Sequence, residues 1–387
     1  MEERLSRLMK WARGDSAPPS RLELHLTNRC NLSCLSCWAW STAKPPEDRL
    51  DDARLLTLID EAHLLGIRDF WLVGGGEPLL RTNTCLAVQD RIMQGGGRGH
   101  LVTNGTLFTG TMLEWLVTKG WEMVVVSVDG PDAPVNDHLR NRAGVFDTIS
   151  KSLLSLAHLK KTHGVEKPIV RINTVISGPN IDRLDGMLNF AAVHGAREVL
   201  FHSMNVLSPR GAELQPTAGQ MVSLRDRIPA LELTARRLGV ETNIGRYRES
   251  FLLESTAELD RFLLGTEDGL LGTPCFDPWE RMIVLPDGRA GSCNAFREQG
   301  LVDRRGVHLQ DEVCDDAREK NLGEIWYGSV MTQVRRGFMA KLLLPICLRC
   351  CVGNILENQR LRAALKESHA VSRSGGERDE RRPAGEA

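Results

Sequence analysis

The feature that most constrains this chain is an alternation of short strand-like runs with amphipathic helical stretches, the pattern of repeated βα units around a parallel sheet. Six strand candidates occupy residues 21–27, 69–75, 100–105, 123–130, 169–176 and 198–204. Helical segments are expected between and after them at 52–66, 82–95, 109–119, 143–163, 180–195 and 217–238, with Gly or Pro at the joints. Beyond about residue 240 the alternation stops. A hairpin is expected over 281–293, because Asp287-Gly288 is a strong tight-turn pair, followed by a helical stretch near 322–341 and a cysteine-rich knot at 347–351. A chain of 387 residues has room for one large α/β unit and a smaller annex.

Charge and hydropathy exclude several classes. The 49 Lys and Arg residues balance 50 Asp and Glu, so there is no electrostatic case for a nucleic-acid partner or an anionic membrane. The longest apolar runs, such as 123–126 and 342–344, fall far short of the ~20 residues needed to span a bilayer. The start MEERLSRLMKW lacks the apolar core of a secretory signal, so a cytoplasmic location is expected. Thiols stay reduced there, and ten cysteines then suggest metal sites rather than disulfides.

Directly after the first strand comes the loop Cys30-Asn-Leu-Ser-Cys34-Leu-Ser-Cys37-Trp38. Three thiolates this close suit a [4Fe–4S] cluster with one iron left without a protein ligand, and equally a zinc site completed by a fourth Cys or His elsewhere. Position favours the cluster, since the loop sits at the C-terminal end of a parallel strand, where barrel chemistry is built. The C-x3-C-x2-C-Trp stretch resembles the signature of radical S-adenosylmethionine (radical SAM) enzymes. The resemblance implies that the open iron chelates the amino and carboxylate groups of S-adenosylmethionine, with Trp38 near the adenine. It further implies that a reduced cluster cleaves the sulfonium and that the 5′-deoxyadenosyl radical abstracts hydrogen from a substrate.

Further motifs follow in order. Gly74-Gly75-Gly76-Glu77-Pro78 resembles the family's G-G-E-P motif, whose backbone meets the methionine amino group, and glycine permits that close approach. Thr103-Asn104-Gly105 matches the family's T-N-G turn. Ser127 and Asp129 lie two apart and so share a strand face. By resemblance they help hold the cofactor's ribose and carboxylate, with Arg140 pairing with the carboxylate through its planar fork. Glu23 and His25, Arg171 and Asn173, and His202 are inward-pointing polar candidates, so a polar lumen and a polar substrate are expected, or else an internal hydrogen-bond network.

Cys275, Cys293, Cys347 and Cys350 lie beyond the barrel in the order C-x17-C, helical linker, C-x2-C. This resembles the SPASM or twitch region of a radical SAM subgroup and implies one auxiliary [4Fe–4S] cluster on those four cysteines; a structural zinc knot uses the same ligands. Cys314 stays unassigned, Cys351 could replace Cys350, and Cys85 reads as a buried apolar residue. The expected organisation is a helical lead-in over 1–20, a partial (β/α)6 radical SAM barrel over 21–240, a SPASM/twitch-like iron–sulfur domain over 241–367, and a disordered tail over 368–387.

An auxiliary cluster implies an electron acceptor and hence net oxidation of the substrate. Asp277, His202 and Glu23 are candidate bases by type and location. The first expectation is a radical SAM oxidoreductase acting on a polar small molecule of aminocyclitol or sugar type. It draws on the short run of 29 residues before Cys30, too few for a leader-peptide-binding domain. The alternative is a peptide or protein side-chain maturase, and a third reading is a zinc-stabilised binding protein without chemistry. By resemblance the electron donor is a flavodoxin or ferredoxin.

Overall fold

The computed structural model describes residues 2–37, 47–204, 209–250, 269–293, 301–302, 308–310, 313–342, 347 and 352–376. Six parallel strands follow the expected alternation: β1 Arg21–His25, β2 Asp69–Val73, β3 Arg98–Thr103, β4 Met123–Ser127, β5 Ile169–Val175 and β6 Glu198–His202. The helices are α1 Glu2–Ala12, α2 Asp52–Leu64, α3 Thr82–Gln94, α4 Gly110–Thr118, α5 Ala133–Arg140, α6 Val145–His163 and α7 Leu184–Val193, followed by Ala218–Leu238. Strand side chains alternate between two environments. Leu22, Leu24, Phe70, Leu72, Leu101, Val124, Val126, Val170, Ile172, Val199 and Phe201 are buried in one core with helix residues such as Leu58, Val88, Leu116, Ile149 and Leu188. The intervening positions line the other face; Trp71, His100, Arg171 and Asn173 among them are half-buried, while Glu23, His25 and Val125 are buried.

Helix boundaries follow local chemistry. Asp51 and Thr109 cap α2 and α4 by accepting from Arg54 N at 2.7 Å and Met112 N at 3.2 Å. Helix α5 was not among the expected elements. Its signal is present in Asp132, which caps it by accepting from Val135 N at 3.2 Å, and in Pro134 in the first turn.

Two domain boundaries shift. Glu241–Thr242 forms a seventh parallel strand, β7, beside β6, so the barrel sheet continues past 240. The Tyr247 hydroxyl then donates to Phe201 O at 2.8 Å and ties the following turn to the sheet. Farther on, the helix Val352–Gly376 runs across position 367, and residues 377–387 lie outside the described residues. The helical stretch near 322–341 is two helices, Leu322–Tyr327 and Ser329–Met339, divided at Gly328.

The expected hairpin is β8 Arg281–Val284 and β9 Arg289–Gly291, turned at Asp287-Gly288 with Gly288 at φ 95°. Instead of standing apart, β8 pairs in parallel with β1, so that one ten-stranded sheet runs from β7 through β1 to β8, β9 and the strand Asp315–Asp316. Among the described residues its two ends are not paired with each other, as in a partial barrel.

The lead-in helix α1 belongs to the annex. Leu8 is fully buried with Phe276, Trp279, Val334, Phe338, Leu361 and Leu365, and Arg4 pairs with Glu280 at 2.7 Å and Glu357 at 2.6 Å. Trp326, also fully buried, donates through Nε1 to Ala17 O at 2.8 Å, with the Arg335 guanidinium 4.3 Å from its ring. Among the described residues no helix is long and apolar enough to cross a membrane. Replacing Trp326 removes a large core side chain and leaves the Ala17 carbonyl unpaired. Trp326→Ala should lower the unfolding free energy by about 3–5 kcal/mol, read from the shift of the urea midpoint at constant slope.

Candidate active site and cysteine groups

Two turns are pressed together at the C-terminal end of β1 and β2. Gly76 N donates to Thr27 O at 3.1 Å and Glu77 N to Arg29 O at 2.8 Å, so the glycine-rich turn lies directly against the backbone that leads into Cys30. The approach is so close that a Cβ on Gly76 would fall 1.8 Å from Arg29 O. Gly75 is buried beside it, and Pro78 opens the single 3₁₀ turn Pro78–Arg81.

Glu77 is almost completely buried and does not present its carboxylate to the lumen. It accepts from Thr103 Oγ1 at 2.6 Å, Asn104 N at 2.7 Å and Leu79 N at 3.1 Å. Burial raises its pKa, while these donors and the nearby Arg140 oppose the rise. It therefore acts by fastening the second turn to the third rather than by touching a ligand. Asn104 in turn reaches the cysteine loop, with Nδ2 at 2.9 Å from Asn31 Oδ1 and 4.0 Å from Cys30 Sγ.

Cys30, Cys34 and Cys37 are grouped closely enough for their charges to interact, and all three are half-buried. Burial pushes the Cys30 thiol up to about 11, so without a metal it stays protonated at neutral pH. Nitrogen donors surround the group: Leu32 N lies 3.4 Å from Cys30 Sγ and Arg140 Nη1 lies 3.9 Å from Cys34 Sγ. The helix α5 supplies this arginine, and its penultimate residue Leu139 accepts from Leu35 N at 3.0 Å. Arg140 Nη2 is 2.8 Å from Asp129 Oδ2. Burial disfavours the arginine's charge, but Asp129 and the thiols of Cys34 and Cys37 more than offset that. Its Nε is buried with no acceptor among the described residues, leaving one donor for a carboxylate. In residue chemistry these thiols and donors suit an iron–sulfur cluster with an anionic ligand beside it, while among the described residues no three Cys, His, Asp or Glu side chains are already gathered as a bound metal would hold them.

Asp129 is held from three sides, by Asn136 Oδ1 accepting from its N at 3.0 Å, by Val175 N donating to Oδ1 at 2.9 Å, and by Asn180 Nδ2 donating to its O at 2.8 Å. Ser127 closes β4 opposite Asn173. Asp48 is a residue the sequence reading missed: it accepts from Thr27 Oγ1 at 2.5 Å and Asn28 N at 2.8 Å, pinning the start of the loop. Nothing in its local pattern distinguishes it. Trp38 lies outside the described residues.

In the annex, Cys275, Cys293, Cys314 and Cys347 all pack against the same buried core. Cys275 lies in charge-interaction range of both Cys293 and Cys347, and Cys314 of Cys293. The ladder explains the last pairing. Asp315 opposes Ala290 and Asp316 opposes Arg289, so the strand that Cys314 leads into lies beside the one that leads to Cys293. Burial lifts Cys275 well above the ordinary thiol value and Cys314 to about 12, again requiring metal for thiolate. Cys350 and Cys351 lie outside the described residues. Cys85 is fully buried in the apolar core, as expected.

The candidate bases differ sharply. Glu23 lies 3.2 Å from His25 Nε2 and 3.6 Å from Arg281 Nη1, while Asp277 lies 2.5 Å from Arg281 Nη2. His202 ends β6 with its side chain open to solvent yet enclosed by protein. That enclosure is the main cause holding its imidazole below 6.5; Arg171 adds to it and Asp129 opposes it. Arg171 itself pairs with Glu198 at 2.6 Å and lies over Trp71 at 5.8 Å, and Trp71 stacks on His100 at 4.4 Å, so this side of the lumen is an internal network.

Comparison with known proteins agrees with this division. The Radical SAM superfamily matches residues 24–191 and the SPASM iron–sulfur cluster-binding domain matches residues 275–351. A mycofactocin maturase, MftC, of Mycolicibacterium smegmatis is 31% identical over 57% of this chain and 54% of its own length. An AdoMet-dependent heme synthase of Methanosarcina barkeri is 31% identical over 48% of this chain and 50% of its own, so the chain spans about half the length of both. A PqqA peptide cyclase of Xanthomonas campestris is 25% identical over 86% of this chain and 87% of its own. Among solved structures, Streptococcus suis SuiB bound to S-adenosylmethionine has a TM-score of 0.62 at 16% identity, covering 85% of this chain and 71% of that one, a likeness of fold.

Gly76→Ala should separate the two cysteine groups functionally. The added methyl has nowhere to go, so the turn must move off the loop at a cost of about 1–3 kcal/mol. Iron at the first group and S-adenosylmethionine binding should both fall, measured by elemental analysis and equilibrium dialysis, while iron retained by the annex stays constant.

Proposed function

We propose, from the premise that this chain belongs to the radical SAM superfamily and its SPASM subgroup, that it modifies a side chain of a peptide substrate by hydrogen abstraction followed by oxidation or crosslinking. The observation that carries the peptide reading is the PqqA peptide cyclase match, which extends through both the barrel and the annex, 86% of this chain. The mycofactocin maturase and the SuiB structure with its precursor peptide SuiA, whose TM-score is 0.61, point the same way. They favour the maturase alternative over the aminocyclitol or sugar substrate that the sequence put first.

A [4Fe–4S] cluster with S-adenosylmethionine, when bound, supplies a 5′-deoxyadenosyl radical. Cys30, Cys34 and Cys37 would hold the cluster. Arg140 would use its spare Nε toward the cofactor's carboxylate while Asp129 fixes its orientation. Ser127, Asn104 and the backbone of Gly75 and Gly76 complete the cradle, with Glu77 and Pro78 shaping the turn. In the annex, Cys275, Cys293 and Cys347 would hold an auxiliary [4Fe–4S] cluster, with Cys350 or Cys314 as fourth ligand. His202 is the preferred base, since Glu23 and Asp277 already share the Arg281 guanidinium. A flavodoxin or ferredoxin donor and a reducing cytoplasm belong to the same reading.

Anaerobic reconstitution should yield about eight irons per chain, falling to about four in a Cys30→Ala, Cys34→Ala, Cys37→Ala variant that no longer cleaves S-adenosylmethionine. Zinc in place of iron would sink the radical reading. Incubation with the product of a short neighbouring reading frame should remove hydrogens from that peptide, visible by intact mass. Turnover of an aminocyclitol but of no peptide would reverse the substrate assignment. With His202 neutral above its lowered pKa, the acid limb of kcat against pH should lie below 6.5 and vanish in His202→Gln.

A further inference from the structure

The polar groups around Cys275 and Cys293 are unusually specific for a buried site. Asn358, on the helix Val352–Gly376, is 8% exposed. Its Oδ1 accepts from Phe276 N at 2.8 Å, which orients Nδ2 as a donor 3.7 Å from Cys275 Sγ. Arg281 stands on the other side. Its Nε donates to Ser292 O at 3.2 Å, next to Cys293, and its Nη2 to Asp277 Oδ2 at 2.5 Å, two residues past Cys275. Its Nη1 lies 3.6 Å from Glu23 on β1, and the arginine and Glu23 side chains are only 14% and 10% exposed. An amide donor, a guanidinium and the Asp277 carboxylate therefore act on the thiols, with Glu23 behind the guanidinium, in a setting that salt and water screen poorly.

Reduction of a [4Fe–4S] couple by one electron adds one negative charge. Donors and cations at the sulfurs stabilise the reduced state more than the oxidised one, and carboxylates do the reverse. We propose that Asn358 and the Asp277–Arg281 ion pair set the reduction potential of the auxiliary cluster, with Asn358 and Arg281 raising it and Asp277 lowering it. The inference rests on the reading of Cys275, Cys293 and Cys347 as cluster ligands. Arg281 is thereby a positioning residue with a second role. It keeps the Glu23 and Asp277 carboxylates from bearing uncompensated on the cluster, and so leaves the site able to take an electron from the substrate side.

The test is a redox titration of the auxiliary cluster followed by electron paramagnetic resonance. It is run on the full chain carrying Cys30→Ala, Cys34→Ala and Cys37→Ala so that only one cluster reports. Arg281→Gln and Asn358→Asp should each shift the midpoint potential down, Asp277→Asn should shift it up, and Arg281→Lys should restore most of the Arg281→Gln loss. Damage to packing alone would not produce shifts of opposite sign from two partners in one ion pair. Potentials unchanged across the set, with iron and spectrum retained, would overturn the inference while leaving the cluster reading intact. Loss of iron in both Arg281→Gln and Asn358→Asp would assign these residues to assembly of the site and overturn the tuning role. If Arg281→Gln alone loses iron, the Asn358→Asp and Asp277→Asn shifts decide. Absence of iron from the Cys30, Cys34, Cys37 variant would remove the cluster reading itself.

Discussion

Strand β1 is paired in parallel on both edges, and this double pairing indexes everything else. Its register sets Glu23 opposite Trp71 of β2 on one side and Ile283 of β8 on the other. The first cysteine loop leaves its C-terminal end, and the segment bearing Cys275 leads straight into β8. Two cysteine groups far apart in the chain are thus referred to the same strand, with the fixed rise of a parallel ladder between them. A hinged annex would let their separation wander, whereas a shared sheet does not. Because α1 is buried in the annex core and Arg4 ties it to Glu280 and Glu357, both ends of the chain's described part brace that arrangement.

Much of the barrel was legible because each βα unit is a local pattern. Strand residues alternate between the helix-facing core and the lumen, and Gly-rich turns mark the C-terminal ends where function collects. What escaped has a physical reason. The pairing of β8 with β1 joins residues distant in sequence, and no local periodicity records a partner. The two-residue strand β7 is too short to show alternation. Helix α5, with Asp132 and Pro134 at its start, has only eight residues, too few for a helical period to stand out in the sequence. Near the C-terminus composition speaks for disorder from 368, while the helix begun at Val352 extends to Gly376.

The first site shows that residues of a motif can also hold its turns in place. Glu77 belongs to a motif associated with cofactor binding, yet three donors take up its carboxylate inside the protein. Its value lies in coupling the second turn to the third, and through Asn104 to the cysteine loop. Asp129 is similarly enclosed and serves through Arg140. A ligand-binding turn needs more residues to hold it still than to touch the ligand, since a loosely held donor loses its advantage through entropy.

The candidate bases sort by the same logic of prior commitment. Residue type gave Glu23, Asp277 and His202 equal standing. The carboxylates of Glu23 and Asp277 converge on one guanidinium, and withdrawing either from that network to take a proton would leave buried charge uncompensated. His202 stands outside that guanidinium network, and desolvation and Arg171 favour its neutral form against the opposing Asp129. Division of labour follows from electrostatics. Under the proposed assignments, the acids and Arg281 set the charge felt at the annex cysteines, and the imidazole handles protons in the lumen.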